Sequence, residues 1–315
     1  MVTRDPGTVL ITGPTGGLGR QTTLAIARRP ASQRPDLILV GRTGQRLTQV
    51  ADEAHTAGAT VHEIGCDLAD LADVRAAATA AKGLLASGAV RPLHGLVANA
   101  GVTVRDTHGA STDGYERTFA INYLAHAQLI AELLASFAAP ARIVLLGSNT
   151  YYSNVFRKLL GVAAADWRDP IELAQPAPAD ARASMKTSGT AYSNSKLAIL
   201  YYTHELQRHA PDGINVVVFE PGFMPGTGLG REYDAAAQRV SRAIAHLHGV
   251  SQPRTSGPAL ACVVLDERWT HLRDGAFVLI DKEQQIQPFA NDRDREARLW
   301  DATAALLQRA AQASQ

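Results

Sequence analysis

Short apolar runs at residues 9–12, 37–40, 60–64, 95–98, 142–146, 214–219 and 276–280 alternate along this chain with stretches of helical periodicity. That alternation constrains the fold more than any single residue does. Strands that follow one another through helices pair in parallel, and each helix must bury its apolar stripe on one face of the sheet. The predicted class is α/β, a doubly wound parallel sheet of seven strands with helices on both faces. Ligands of such sheets collect outside the carboxyl ends of the strands. The residues of chemical interest fall just after those ends or on adjoining helices.

The first run leads directly into Gly13-Pro-Thr-Gly-Gly17-Leu-Gly19 and then into the helix-forming residues 20–29. Glycines permit a tight turn and let the main chain approach a pyrophosphate closely, while the helix N-terminus offers unpaired N–H groups and partial positive charge. Gly13, Thr15, Gly16, Gly17, Leu18 and Gly19 are therefore the candidate phosphate cradle. Their spacing, Gly-x-x-x-Gly-x-Gly, departs from the common Gly-x-Gly-x-x-Gly fingerprint. No Gly-Lys-Ser/Thr follows at the required distance, which excludes a triphosphate loop of the Walker type.

A second constellation is Ser188-Gly-Thr-Ala-Tyr192-Ser-Asn-Ser-Lys196. Four-residue spacing on a helix sets a phenol beside an ammonium. A neighbouring cation favours the phenolate and draws a tyrosine from its ordinary ~10 toward the range where general acid–base catalysis works best.

Taken together, Thr12 to Gly19, Asn99-Ala-Gly101, Asn122, Ser148, Tyr192 with Lys196, and Pro221-Gly222 resemble the short-chain dehydrogenase/reductase family in residue type and in order, over residues 8–285. Within that family the likeness is greatest to the protochlorophyllide reductase and retinol dehydrogenase branch. It rests on Asp113-Gly-Tyr-Glu116, Ile121-Asn-Tyr-Leu-Ala-His126, Ala191-Tyr-Ser-Asn-Ser-Lys196 and Pro221-Gly-Phe-Met-Pro-Gly-Thr-Gly-Leu-Gly-Arg-Glu232. The resemblance implies a Rossmann-type sheet and hydride transfer between a nicotinamide and a carbonyl or alcohol carbon. Tyr192 would protonate the developing alkoxide, Lys196 would hold the nicotinamide ribose and lower the tyrosine, and Ser148 would bond the carbonyl oxygen. Asn122, on a helix beginning near Gly114, would hold a water linking Lys196 to solvent. Thr150, two residues past Ser148, is an equal candidate for the carbonyl hydroxyl.

The cofactor is expected to be NADP(H). Arg42 ends the second strand, where an acidic residue would suit a ribose 2′-hydroxyl and a guanidinium suits a 2′-phosphate; Arg46 and Arg20 are weaker candidates. Asp67 and Leu68 resemble the adenine contact, although Asp67 would serve equally as a helix cap. Asn99, Ala100 and Gly101 admit the ribose, and Pro221, Gly222, Met224 and Thr227 belong to a flap beside the nicotinamide.

A separation of 44 positions between Ser148 and Tyr192, far more than compact relatives have, marks an insertion beside the active site. One domain over 1–315 is expected, with this substrate-side insertion at 149–190 and a C-terminal helix at 292–312, read as a surface helix with a frayed end. Tyr151 and Phe223 are expected to meet a bulky apolar substrate, while Asp166-Trp167 resembles an interior anchor. Where the pigment reductases carry cysteines, this chain has Phe223 and Ala98, which favours a dark ketoreductase over light-dependent C=C reduction. A non-catalytic NADP-sensing protein is the third reading.

A net charge of +1 gives no reason to expect nucleic acid or an acidic membrane surface. Two cysteines imply no disulfide framework and a reducing compartment, so the chain is read as cytoplasmic. Ten scattered histidines show no metal-ligand spacing, and no metal is expected. Homo-oligomeric assembly is left open.

Overall fold

In the computed structural model, residues 5–159, 162–224 and 250–313 are described. Strands β1 (Thr8–Thr12), β2 (Asp36–Gly41), β3 (Val61–Gly65), β4 (Leu93–Ala98), β5 (Phe137–Leu146), β6 (Ile214–Glu220), β7 (Phe277–Leu279) and β8 (Lys282–Gln284) form one sheet in the order β3-β2-β1-β4-β5-β6-β7-β8. All pairings through β7 are parallel, and β8 alone runs antiparallel, against β7. The sheet therefore has eight strands where seven were predicted. Lys282–Gln284 is exposed throughout, so no apolar alternation announces it; the turn that returns it to β7 holds Ile280 at φ +56°.

Strand parity sorts the core into two layers. Leu10, Ile38, Leu96, Ile143, Leu145, Val216 and Val218 point to one face, and Val9, Ile11, Leu37, Leu39, Val97, Val144, Val217 and Phe219 point to the other. Helices α1 (Gly17–Ala27) and α2 (Gln45–Thr56) cover the second face; α3 (Leu71–Ala86) and the long α8 (Met185–His209) cover the first. On that first face α4 (Arg117–Phe119) passes through a widened π-type turn (Ala120–Leu124) into α5 (Ala125–Leu133). The helix carrying Asn122 thus begins at Arg117 rather than near Gly114, because Glu116 caps it by accepting from the Thr118 and Phe119 N–H groups. The direction of strand succession reverses between β1 and β4, which opens a crevice at their carboxyl ends.

Two short helices, α6 (Val155–Leu159) and α7 (Pro170–Leu173), lie in the insertion between β5 and α8. Its contacts run mostly to the body: Ser193 Oγ donates to Ala163 O at 2.7 Å, Asp166 N donates to Asn194 Oδ1 at 2.8 Å, and Trp167 meets Tyr201 edge-on at 4.9 Å. Helix α8 then starts at a capping box in which Ser184 and Thr187 exchange hydrogen bonds. After β6, α9 (Pro253–Leu265) packs against α1 on the second face.

The C-terminal helix α10 (Arg293–Ala313) lies at the surface, as expected from its alanine content, but one stripe of it is docked and it stays helical to Ala313. Leu299, Ala302, Leu306 and Ala310 are buried, and the Leu306 carbonyl accepts from Tyr115 Oη at 2.7 Å. Glu296, fully buried, sits 2.7 Å from both His204 Nδ1 and Arg208 Nη2 of α8. Glu296→Ala removes the shared acceptor and is expected to lower the unfolding free energy by about 2–3 kcal/mol, read by urea denaturation. Among the described residues no helix is long and apolar enough to cross a membrane.

Candidate active site

Thr12, the last residue of β1, organises the crevice. Its Oγ1 accepts the N–H groups of Asn99 and Ala100, each at 3.0 Å, which occupies its lone pairs and leaves its own hydrogen for His126 Nε2, also at 3.0 Å. His126 Nδ1 therefore carries the ring proton and donates to the Asn122 carbonyl at 3.0 Å. Burial pushes His126 down to about 4, with the Lys196 charge acting the same way, so the ring is neutral and this tautomer persists. Asn99 completes the brace by donating through Nδ2 to the carbonyls of Thr12 and Gly13.

The glycine turn follows from that close approach. At Gly13, with φ +63°, a Cβ would lie 2.9 Å from Ala100 Cα; at Gly19 it would lie 2.2 Å from the Gly13 carbonyl. Gly16 precedes α1 without a side-chain cap, so the first-turn N–H groups are left for whatever occupies the cleft. Gly13, Thr15, Gly16, Gly17 and Leu18 line that cleft, and Gly19 packs behind them.

Further along the same cleft lie Arg42, Asp67, Leu68, Asn99, Ala100 and Gly101, and at the far end Tyr192, Lys196, Pro221 and Met224. Of the arginines weighed against Arg42, Arg20 is held by Glu53 and Arg46 Nη2 donates to Thr15 O at 3.1 Å. Asp67 does not cap α3; Asp70 does, accepting from Ala72 and Asp73 N–H groups. Gly222 adopts φ +82°, and a Cβ there would lie 2.0 Å from Ser251 Oγ. Thr227 lies outside the described residues.

Helix α8 brings Tyr192 and Lys196 to the wall. Lys196, 4% exposed, donates from Nζ to the Leu146 carbonyl at the end of β5, 2.7 Å away, and Nζ lies 5.5 Å from the Tyr192 ring centre. Burial pushes its ammonium down to about 8, against an upward pull from the Glu220 carboxylate. Asn122, expected to hold a water for Lys196, also has a structural part. Its Oδ1 accepts from Val102 N at 2.8 Å, and its Nδ2 donates to Val102 O and Ser195 Oγ, each at 3.0 Å. Both ends of the carboxamide thus brace the loop after β4 against α8.

Past β5, Ser148 Oγ accepts from Thr150 N at 3.4 Å, and Thr150 Oγ1 is buried with no partner among the described residues. Both hydroxyls stay in contention for a carbonyl oxygen. Tyr151 does not belong to the substrate wall: it is 2% exposed, its hydroxyl accepts from Gln287 N at 3.0 Å, and its ring packs on Tyr152 and Phe289. An interior position that satisfies the phenol cannot also face solvent. Phe223 is 56% exposed. Sequence reasoning overlooked Glu220, a carboxylate at the end of β6; an acidic residue closing an apolar strand just before Pro-Gly was the available signal. It also gave His126 no role. Among the described residues no three His, Cys, Asp or Glu side chains gather as a metal ion would require.

A family model described as short chain dehydrogenase matches residues 7–157. A Streptomyces lividans protein described as a probable oxidoreductase is 33% identical over 73% of this chain and 68% of its own length. The chain belongs to the short-chain dehydrogenase family. A Streptomyces sp. (strain C5) relative, named for daunorubicin C-13 ketoreduction, is 29% identical across 96% of this chain and 93% of that protein. Retinol dehydrogenase 13 of Homo sapiens is 28% identical across 96% and 85%. Among solved structures, a short chain dehydrogenase from Burkholderia cenocepacia in complex with NADP superimposes with a TM-score of 0.61, at 22% identity over 88% of this chain and 97% of that one.

In the glycine turn the nearest obstacle to a side chain is main chain, which cannot swing aside. Gly19→Ala drives a methyl into the Gly13 carbonyl and is expected to cost about 1–3 kcal/mol of stability, measured by urea denaturation.

Proposed function

We propose that this dehydrogenase uses NADPH to reduce the carbonyl of a bulky apolar small molecule, or oxidises the matching alcohol, with Tyr192 as the general acid or base. One observation carries the reading: Tyr192 and the buried Lys196 stand on the wall of the same cleft whose opposite end is the uncapped start of α1 and the Arg42 guanidinium. That arrangement fits a phosphate-bearing dinucleotide, since the glycine turn has the closeness of approach a pyrophosphate needs and Arg42 suits a 2′-phosphate. When bound, the nicotinamide supplies or accepts the hydride.

The chain's own groups do the rest. Tyr192 holds the proton at its phenol oxygen and delivers it to the alkoxide oxygen; Lys196 orients the ribose and favours loss of that proton. Ser148 or Thr150 bonds the carbonyl oxygen and stabilises charge growing there. The relative named for a C-13 ketoreduction supports carbonyl chemistry. Light-dependent chemistry is disfavoured: Phe223 and Ala98 occupy the positions discussed above, and burial lifts the Cys66 thiol to about 12. We read residues 1–315 as one NADP-binding domain in a reducing, cytoplasmic setting.

With NADPH and a panel of aromatic and aliphatic ketones and aldehydes, Tyr192→Phe is expected to lower kcat by about 10²–10⁴-fold while leaving NADPH affinity nearly unchanged. Tight NADPH binding without turnover by the unaltered protein would favour sensing instead. Separately, Arg42→Asp is expected to raise KM for NADPH by about tenfold or more, corresponding to loss of a charge-assisted phosphate contact, with KM for NADH little changed.

A further inference from the structure

The catalytic wall holds a third ionisable group. Glu220 closes β6 at 5% exposure, with the strand parity of Val218 and hence on the sheet face that α8 covers. Each carboxylate oxygen takes a main-chain N–H: Oε2 from Asn149, and Oε1 from Gly222 at 3.1 Å. Those donors belong to the turn that carries Ser148 and Thr150 and to the Pro221-Gly222 loop, so one side chain ties together the two loops flanking the reacting centre. Bracing of this kind needs an acceptor and does not need a charge. A carboxylate removed from water is costly unless cations face it.

Cations do face it. Lys196 from α8 and Arg157 from α6 both attract it across space, and the Tyr151 phenol from the turn after β5 is a further titratable neighbour. Lys196 is faced in turn by Tyr192 one helical turn away and by the neutral His126 of α5. No hydrogen bond joins Glu220 to Lys196, so their interaction is a field effect in a low-dielectric setting, where charges act over longer distances than in water.

We propose that Glu220 is a positioning residue of the catalytic centre, whose negative charge keeps the buried Lys196 in its ammonium form at and above neutral pH. The inference rests on the reading of Tyr192 and Lys196 as the proton-handling pair. Burial lifts Glu220 to about 7 and lowers Lys196 to about 8, so both are charged together in a narrow interval near neutrality. As pH rises through the lysine's range the ammonium is lost; without the carboxylate that loss comes at lower pH.

The test reads NADPH affinity by fluorescence quenching across pH, which requires no turnover and so stands apart from the fate of the activity assay. A tenfold weaker hold of Lys196 on its proton lowers its charged fraction at about pH 8 roughly fivefold. Glu220→Gln is therefore expected to weaken NADPH binding several-fold there while matching the unaltered protein on the acid side, and Glu220→Asp is expected to restore the profile. An unchanged profile in Glu220→Gln, or an equal loss at every pH in both variants, overturns the proposal and leaves a mechanical brace. Thermal midpoints of Lys196→Met, Glu220→Gln and the double variant provide an arm that survives poor folding. Non-additive midpoints, with the double variant recovering part of the single losses, support the pairing; additive losses, or a double variant that fails to fold where Lys196→Met folds, overturn it.

Discussion

The hydroxyl of Thr12 is the point on which the rest of the site depends. Two main-chain N–H groups of the loop after β4 end on it, and it passes its own hydrogen to a buried histidine that holds the carbonyl of Asn122. Three segments far apart in sequence are thereby locked at one oxygen: the glycine turn, the Asn99–Gly101 loop and the π-type turn. Such a turn widens the helix locally, and the Asn122 side chain spans the gap between the loop and α8. The chain of bonds stays intact because every member is satisfied and the histidine is kept neutral by its burial.

Electrostatics at the reacting end run the other way. Lys196 and Glu220 are both placed where their charged forms are penalised, and each is the other's partial compensation. Charge is concentrated in a dry corner at the ends of β5 and β6, next to the tyrosine. The hydroxyls of Ser148 and Thr150 sit on a turn that the same glutamate anchors. The hydroxyls proposed to recognise the oxygen and the lysine proposed to hold the ribose are therefore tied to one region of the sheet.

Much of this was legible in the chain. Strand alternation, the glycine turn and the Tyr192–Lys196 spacing are local patterns with local physical causes: buried strands must be apolar, a tight turn at a helix start excludes Cβ atoms, and one helical turn makes neighbours of residues four apart. The eighth strand was not legible, because Lys282–Gln284 has neither burial nor alternation and pairs only because β7 lies beside it. The docked stripe of α10 was obscured for a related reason: alanine carries little hydropathy, although Ala302 and Ala310 are buried. Tyr151 was placed at the substrate as part of the inserted segment, whereas its hydroxyl and ring also meet Gln287 and Phe289, more than a hundred residues later in the chain.

The sequence by itself determined the order of strands and helices, the glycine turn at the start of α1 and the Tyr192–Lys196 spacing, since each is written in residues adjacent along the chain. Only the tertiary structure decided that the Asn122 carboxamide braces the loop after β4, that His126 links β1 to the π-type turn, and that Glu220 anchors the turn after β5. Those relations depend on which groups share a dry interior, and burial turns ordinary hydrogen bonds and distant charges into strong constraints that no local spacing records.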